Sequence, residues 1–103
     1  MGKRMSAYII SDVTFRDAAA VEVYRERAAR SIAQHGGHYI VRGGKIEVLE
    51  GEWKPHTIII AEFPDLERAR AWYRSPEYAP ALAVRDNALT RNLIVVEGIA
   101  PAD

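Results

Sequence analysis

The chain has no cysteine. That one absence excludes disulfides, a thiolate nucleophile, iron–sulfur ligation and a cysteine-based zinc site, and it fits a reducing compartment. Net charge is missing too: Lys+Arg and Asp+Glu both total 14. Nucleic-acid binders carry a basic excess that neutralises phosphates, so no nucleic-acid partner is expected. No apolar run approaches the roughly 20 residues that cross a bilayer. The opening Met1-Gly2-Lys3-Arg4-Met5 is not followed by the hydrophobic segment of a signal peptide. The expectation is a cytoplasmic protein with no membrane association. Gly-rich phosphate loops are also lacking, because Gly36-Gly37 and Gly43-Gly44 do not have dinucleotide or P-loop spacing.

What is present is a globular composition. Of 103 residues, 49% are hydrophobic and 27% charged, enough for one domain and too few for two separate cores. Residues 1–6 are expected to be a leader, 7–99 the single domain and 100–103 a tail. Ala7 to Val13 is β-branched and aromatic enough for a first strand. Asp17 is placed to cap a helix running through His35, with Gly36-Gly37 as its stop. Val21, Tyr24, Ala28 and Ile32 form its apolar stripe. Strand-like sequence follows from His38 to Glu50, read as one long strand bent by a glycine bulge at Gly43-Gly44. After the turn at Glu52–Pro55 come a strand from Thr57 to Phe63 and a helix capped by Asp65 that extends to about Arg74. Ser75-Pro76-Glu77 opens a short third helix, in which Pro80 predicts a kinked or 3₁₀ segment. Arg91 to Glu97 is the last strand. The order β-α-β-β-α-β predicts an α+β fold of ferredoxin-like type with an antiparallel sheet.

The strands also predict an assembly. In Thr57–Phe63, Ile58 and Ile60 point one way while Ile59, Ala61 and Phe63 point the other; the last strand sets Ile94 and Val96 against Leu93 and Val95. Two helices cover only one face of such a sheet, and a wet antiparallel face should alternate polar with apolar. A second copy, packed sheet to sheet, is the simplest cover for the other face. The chain is therefore expected to be a homodimer.

Few residues suggest chemistry. Glu62 shares a face with Ile58 and Ile60, and a buried carboxylate needs a partner; Arg42 and Arg85 are the natural ones. That group reads first as a structural ion pair, and second as a charged pocket floor for a carboxylate or enolate. His38, assigned to the same strand face as Ile40 and Arg42, is a candidate general base, since imidazole titrates near neutral pH. His35, His38 and His56 share no metal-ligand spacing, so neither a metal nor a cofactor is expected. Trp72 and Tyr73 read as aromatics packed on the sheet, while Trp53, in a turn, would cover a neighbouring subunit or, as the second reading, close a pocket mouth. Ser75 is explained as a cap and Ser11 has no nucleophile setting.

The run GGHYIVRGGKIEVLEGEWKP, then IIIAEFPD, ARAWYRSPEY, Arg85 and a closing VVEG resembles the DUF1330 family, small bacterial proteins of the dimeric α+β barrel superfamily. The resemblance spans about Tyr8 to Gly98. It implies a ferredoxin-like subunit whose sheet meets that of a second copy, and it implies no assigned activity. By similarity the recurrent polar and aromatic positions fall on Tyr24, Arg42, Glu50, Trp53, Glu62, Trp72, Ser75, Tyr78 and Arg85. Two positions depart from the pattern: His56-Thr57 stands where members often carry an arginine, and Asp65 where many have serine. Two functions stay open. One is a small-molecule pocket between sheet and helices, for binding or cofactor-independent chemistry; other dimeric α+β barrels use this cavity for oxygenation, isomerisation or haem chemistry. In it Arg42 and Arg85 would bind an anion such as a carboxylate, Trp72 and Tyr78 would form walls, and His38 or Glu62 would move a proton. The other is a non-catalytic dimeric module acting through a protein partner.

Overall fold

The computed structural model describes residues 5–99. Residues 1–4 and 100–103, which hold most of the expected leader and all of the expected tail, lie outside the described residues. The elements run β1 (Ala7–Phe15), α1 (Ala18–Gln34), β2 (His38–Arg42), β3 (Thr57–Phe63), α2 (Leu66–Tyr73), α3 (Ala79–Ala88) and β4 (Leu89–Glu97). One antiparallel sheet has the order β2-β3-β1-β4. This is the ferredoxin-like α+β arrangement, with α2 and α3 sharing the second crossover.

Local chemistry sets the helix ends. The Asp17 carboxylate accepts from the Ala20 N–H at 3.0 Å, and Asp65 accepts from the Arg68 N–H at 2.8 Å, each satisfying a donor that has no intrahelical partner. Beyond α1, Gly36 N–H donates to Ala33 O and Gly37 N–H to Ile32 O. This is a Schellman closure, and Gly36 supplies its left-handed residue at φ +80°. Ser75, expected to cap the third helix, instead closes the turn ahead of it: its Oγ donates to Trp72 O at 2.7 Å and accepts from Tyr78 N–H at 3.1 Å, while the N-cap of α3 is Tyr78, which makes no side-chain cap bond.

The helices cover one face of the sheet. Ile9, Val13, Ala61, Phe63 and Leu89 from the strands meet Val21, Tyr24, Ala28 and Ile32 of α1, with Trp72 and Tyr78 from the second crossover. Trp72 is 2% exposed and Tyr78 fully buried. The Trp72 indole N–H donates to Ser31 Oγ at 2.9 Å, which in turn donates to Ala28 O, so a large ring is buried without an orphaned donor. Ile10, Ile58, Ile60, Ile94 and Val96 occupy the opposite face, as their registers require. Both sides of the sheet therefore carry apolar residues, and the outer one also holds Asp12, Glu62, His38 and Asn92. Ile94 is 59% exposed.

Three expectations are corrected. The second strand does not reach Glu50; it ends at Arg42. Gly43, at φ +76°, donates the last bond to Ile58 O and turns the chain away from β3, so residues 44–56 form a loop instead of more strand. The bulge lies earlier, between Tyr39 and Val41. Pro80 does not disturb a helix interior, because α3 starts at Ala79 and Pro80 falls in its first turn, where a missing N–H costs nothing. Finally, β4 begins at Leu89, not Arg91, directly from the end of α3.

Candidate functional site

Between the inner face of the sheet and α1 lies a cavity of about 60 Å³. Its walls are mostly aliphatic, including Ile9, Val13, Ile59, Leu89 and Leu93, with Trp72 at its base. Three arginines reach it: Arg25 from α1, Arg42 from β2 and Arg91 from β4. Arg25 bonds Glu22 at 3.3 Å and lies over the Phe15 ring. Arg42 is exposed at the rim, with its guanidinium carbon 5.0 Å from the centre of the Tyr39 ring.

Arg91 is different. Its Nη1 donates to the Tyr24 hydroxyl at 2.6 Å and its Nη2 to the Tyr78 hydroxyl at 2.8 Å, while the two hydroxyls bond each other at 2.5 Å. Among the described residues no carboxylate pairs with this half-buried cation. Burial pushes the Tyr78 phenol well above its ordinary value, and the neighbouring Tyr24 oxygen adds to that rise; Arg91 opposes it more weakly. Burial acts to lower the Arg91 value, but the two phenolic oxygens outweigh it and hold the guanidinium above its usual range. Tyr39, also on the cavity wall, is raised by burial. The cluster is a fixed positive charge against two phenols, at the edge of an apolar hole.

The sequence candidates divide between the two faces. Arg42 and Trp72 come together at this cavity, and Tyr78 joins them through Arg91. Arg85 does not: it bonds Asp86 at 3.1 Å beside a separate shallow depression lined by Arg16 and Arg91. Glu62 and His38 lie on the opposite face of the sheet, paired across β3 and β2. His38 Nε2 is 3.4 Å from Glu62 Oε1, and the Tyr8 hydroxyl is 3.4 Å from Oε2. Arg42 is not Glu62's partner because the extra residue in β2 breaks the alternation. His38 pairs with Glu62 and Val41 with Ile60 on the outer side, but Arg42 pairs with Ile59 on the inner side. His38, Ile40 and Arg42 therefore do not share a face.

The outer face has its own polar anchor. Asp12 accepts from the Trp53 indole N–H at 3.1 Å and the His56 N–H at 2.8 Å. The His56 hydrogen bond, chiefly, holds the carboxyl below its ordinary value. This ties the loop 44–56 over Ile10 and Ile58, yet leaves Leu49 90% and Trp53 64% exposed. Among the described residues no group of three His, Asp or Glu side chains could hold a metal, and no helix is long and apolar enough to cross a membrane.

Arg91, with Tyr24 and Tyr39 as cavity groups, was missed from sequence. The signal existed: Leu89, Arg91, Leu93 and Val95 alternate on the inward face of β4, so a cation sits in an apolar series. Starting the strand at Arg91 hid it.

With this geometry in place, comparison with known proteins decides the relationship. A family model described as "Domain of unknown function (DUF1330)" matches residues 6–99. The chain belongs to the DUF1330 family. Solved structures agree with the fold of this DUF1330 protein. The RPA0582 protein of unknown function from Rhodopseudomonas palustris superposes with a TM-score of 0.74 at 21% identity, covering 96% of this chain and 86% of that one. SnoaB, a cofactor-independent oxygenase from Streptomyces nogalater, gives 0.63 at 15% identity over 95% and 96% of the two chains. A putative antibiotic biosynthesis monooxygenase from Nitrosomonas europaea gives 0.53 at 14% identity over 100% and 98%. At such identities the similarity carries the fold and not the reaction. Among curated proteins nothing matches.

Proposed function

We propose that the protein is a cytoplasmic homodimer in which each subunit takes a small organic anion, a carboxylate, into the cavity between sheet and helices. The observation that carries this reading is Arg91, a half-buried cation facing that cavity whose hydrogen-bond partners among the described residues are two phenolic hydroxyls. Charges with strongly perturbed surroundings in a cleft concentrate at functional sites. The homodimer is supported by the apolar outer face, where Ile94 and Val96 are exposed beside the loop residues Leu49 and Trp53. His38 and Glu62 do not line the cavity, so proton transfer to a ligand inside it is not assigned to them. The oxygenase chemistry of SnoaB is consistent with a substrate cavity in this fold, and no reaction is carried over from it.

A thermal-shift series of small carboxylates tests the reading. A ligand at 100 times its Kd adds about 2.7 kcal/mol of stability, so a binder raises the melting temperature measurably. Arg42→Ala at the rim weakens that shift while the far-UV spectrum stays unchanged. If no carboxylate stabilises the protein, the second reading takes over: a non-catalytic dimeric interaction module. That reading is favoured by the cavity's size, about 60 Å³ against the roughly 300–1,000 Å³ of common ligand pockets.

A further inference from the structure

Proton counting in the Tyr24–Tyr78–Arg91 cluster narrows the ligand. The guanidinium has five N–H donors and no acceptor, and each phenol has one proton. Two N–H groups are spent on the phenolic oxygens, and one phenolic proton on the hydrogen bond between them. One O–H and three N–H groups then remain without an acceptor in the cluster. Tyr78 is fully buried and Tyr24 nearly so, so these groups are held in place by packing. The guanidinium brings a single positive charge to the three side chains. Of the other two arginines that reach the cavity, Arg25 is accompanied by Glu22, and Arg42 is solvent-exposed at the rim, where water screens its charge.

We propose that Arg91, together with the spare phenolic proton of the Tyr24–Tyr78 pair, is the carboxylate-binding group of a site for short monocarboxylates with an apolar tail. The inference rests on the cavity being a ligand site. A monoanion balances the single charge, and a planar carboxylate matches the fork of a guanidinium. The tail would lie among Ile9, Val13, Leu89 and Leu93. At about 60 Å³ the space holds roughly four to six waters at 10–15 Å³ each, which suits a chain of propionate size. Inorganic phosphate, strongly hydrated and partly dianionic at pH 7, would lose more on entering these aliphatic walls than one cation returns.

The test compares propionate, its neutral isostere propionamide and inorganic phosphate by titration of the isotope-labelled protein, read from amide chemical shifts. Propionate is expected to shift amides of β1, β4 and α1 and to bind about ten-fold more tightly than propionamide, as a charge-assisted pair requires. Phosphate is expected to leave those amides unmoved. Arg91→Gln and Tyr24→Phe should each remove most of the preference for propionate. Equal binding of propionate and propionamide by the wild-type protein overturns the inference and leaves the cavity reading standing. Binding of none of the three, and of no larger carboxylate, overturns both. Because the isostere comparison uses the native chain, it holds even if Arg91→Gln does not fold.

Discussion

A β-carbon built on Gly37 would lie 2.7 Å from the Phe63 ring and 2.9 Å from an Ile32 methyl. Both neighbours are core residues, 1% and 4% exposed, so neither can move aside freely. Gly37 also donates the bond that closes α1, which keeps the backbone from backing away. Gly37→Ala should therefore destabilise the protein by about 1–3 kcal/mol, the usual result of overpacking, measured as a lower urea midpoint at unchanged slope. In the sequence the Gly36-Gly37 pair has the look of a helix stop, and Gly36 is one. The packing role of Gly37 depends on Phe63, 26 positions away, so no local pattern discloses it. Arg91 was obscured for a related reason: its partners Tyr24 and Tyr78 come from two different helical segments, and Tyr24 reads as one more member of an apolar stripe.

At the scale of elements, helices whose signals are local were legible. Asp17, Asp65, Ser75 and the Gly36 closure lie where the chain itself sets the ends of helices and turns. The loop 44–56 was not legible, because Lys45-Ile46-Glu47-Val48 has strand character and nothing nearby shows that it lacks a pairing neighbour. Asp12 anchors the loop by tertiary hydrogen bonds instead. Its carboxyl is held below the ordinary value of about 3.9, with the His56 N–H as the main cause. A lowered value means that the anchor contributes fully above the ordinary carboxylate range and is lost as pH falls through the lowered value. In an acid titration, Trp53 emission should shift only below about pH 3.9, and Asp12→Asn should show the same shifted emission already at neutral pH. A Trp53→Phe variant that retained the transition would assign it to buried Trp72 and refute the anchor.

The whole molecule is a slab, with extents of 46 × 39 × 16 Å. Its helices cover one side, and the apolar character of the other side was readable from strand alternation alone. Sedimentation at micromolar concentration is expected to show a dimer. Ile94→Lys, on the exposed outer side of the edge strand β4, should give a folded monomer with a native far-UV spectrum, because a charge desolvated in an interface costs several kcal/mol. A dimer unaffected by Ile94→Lys would put the contact elsewhere on the surface.

The extra residue in β2 has a consequence for reading relatives of this chain. With Ile40 in place the guanidinium of Arg42 faces the cavity under the helices; delete one residue there and the same side chain is handed to the open outer face. An alignment that closes a one-residue gap at Ile40 would thus pair positions serving opposite compartments, and a conserved arginine in its columns would mean two different things.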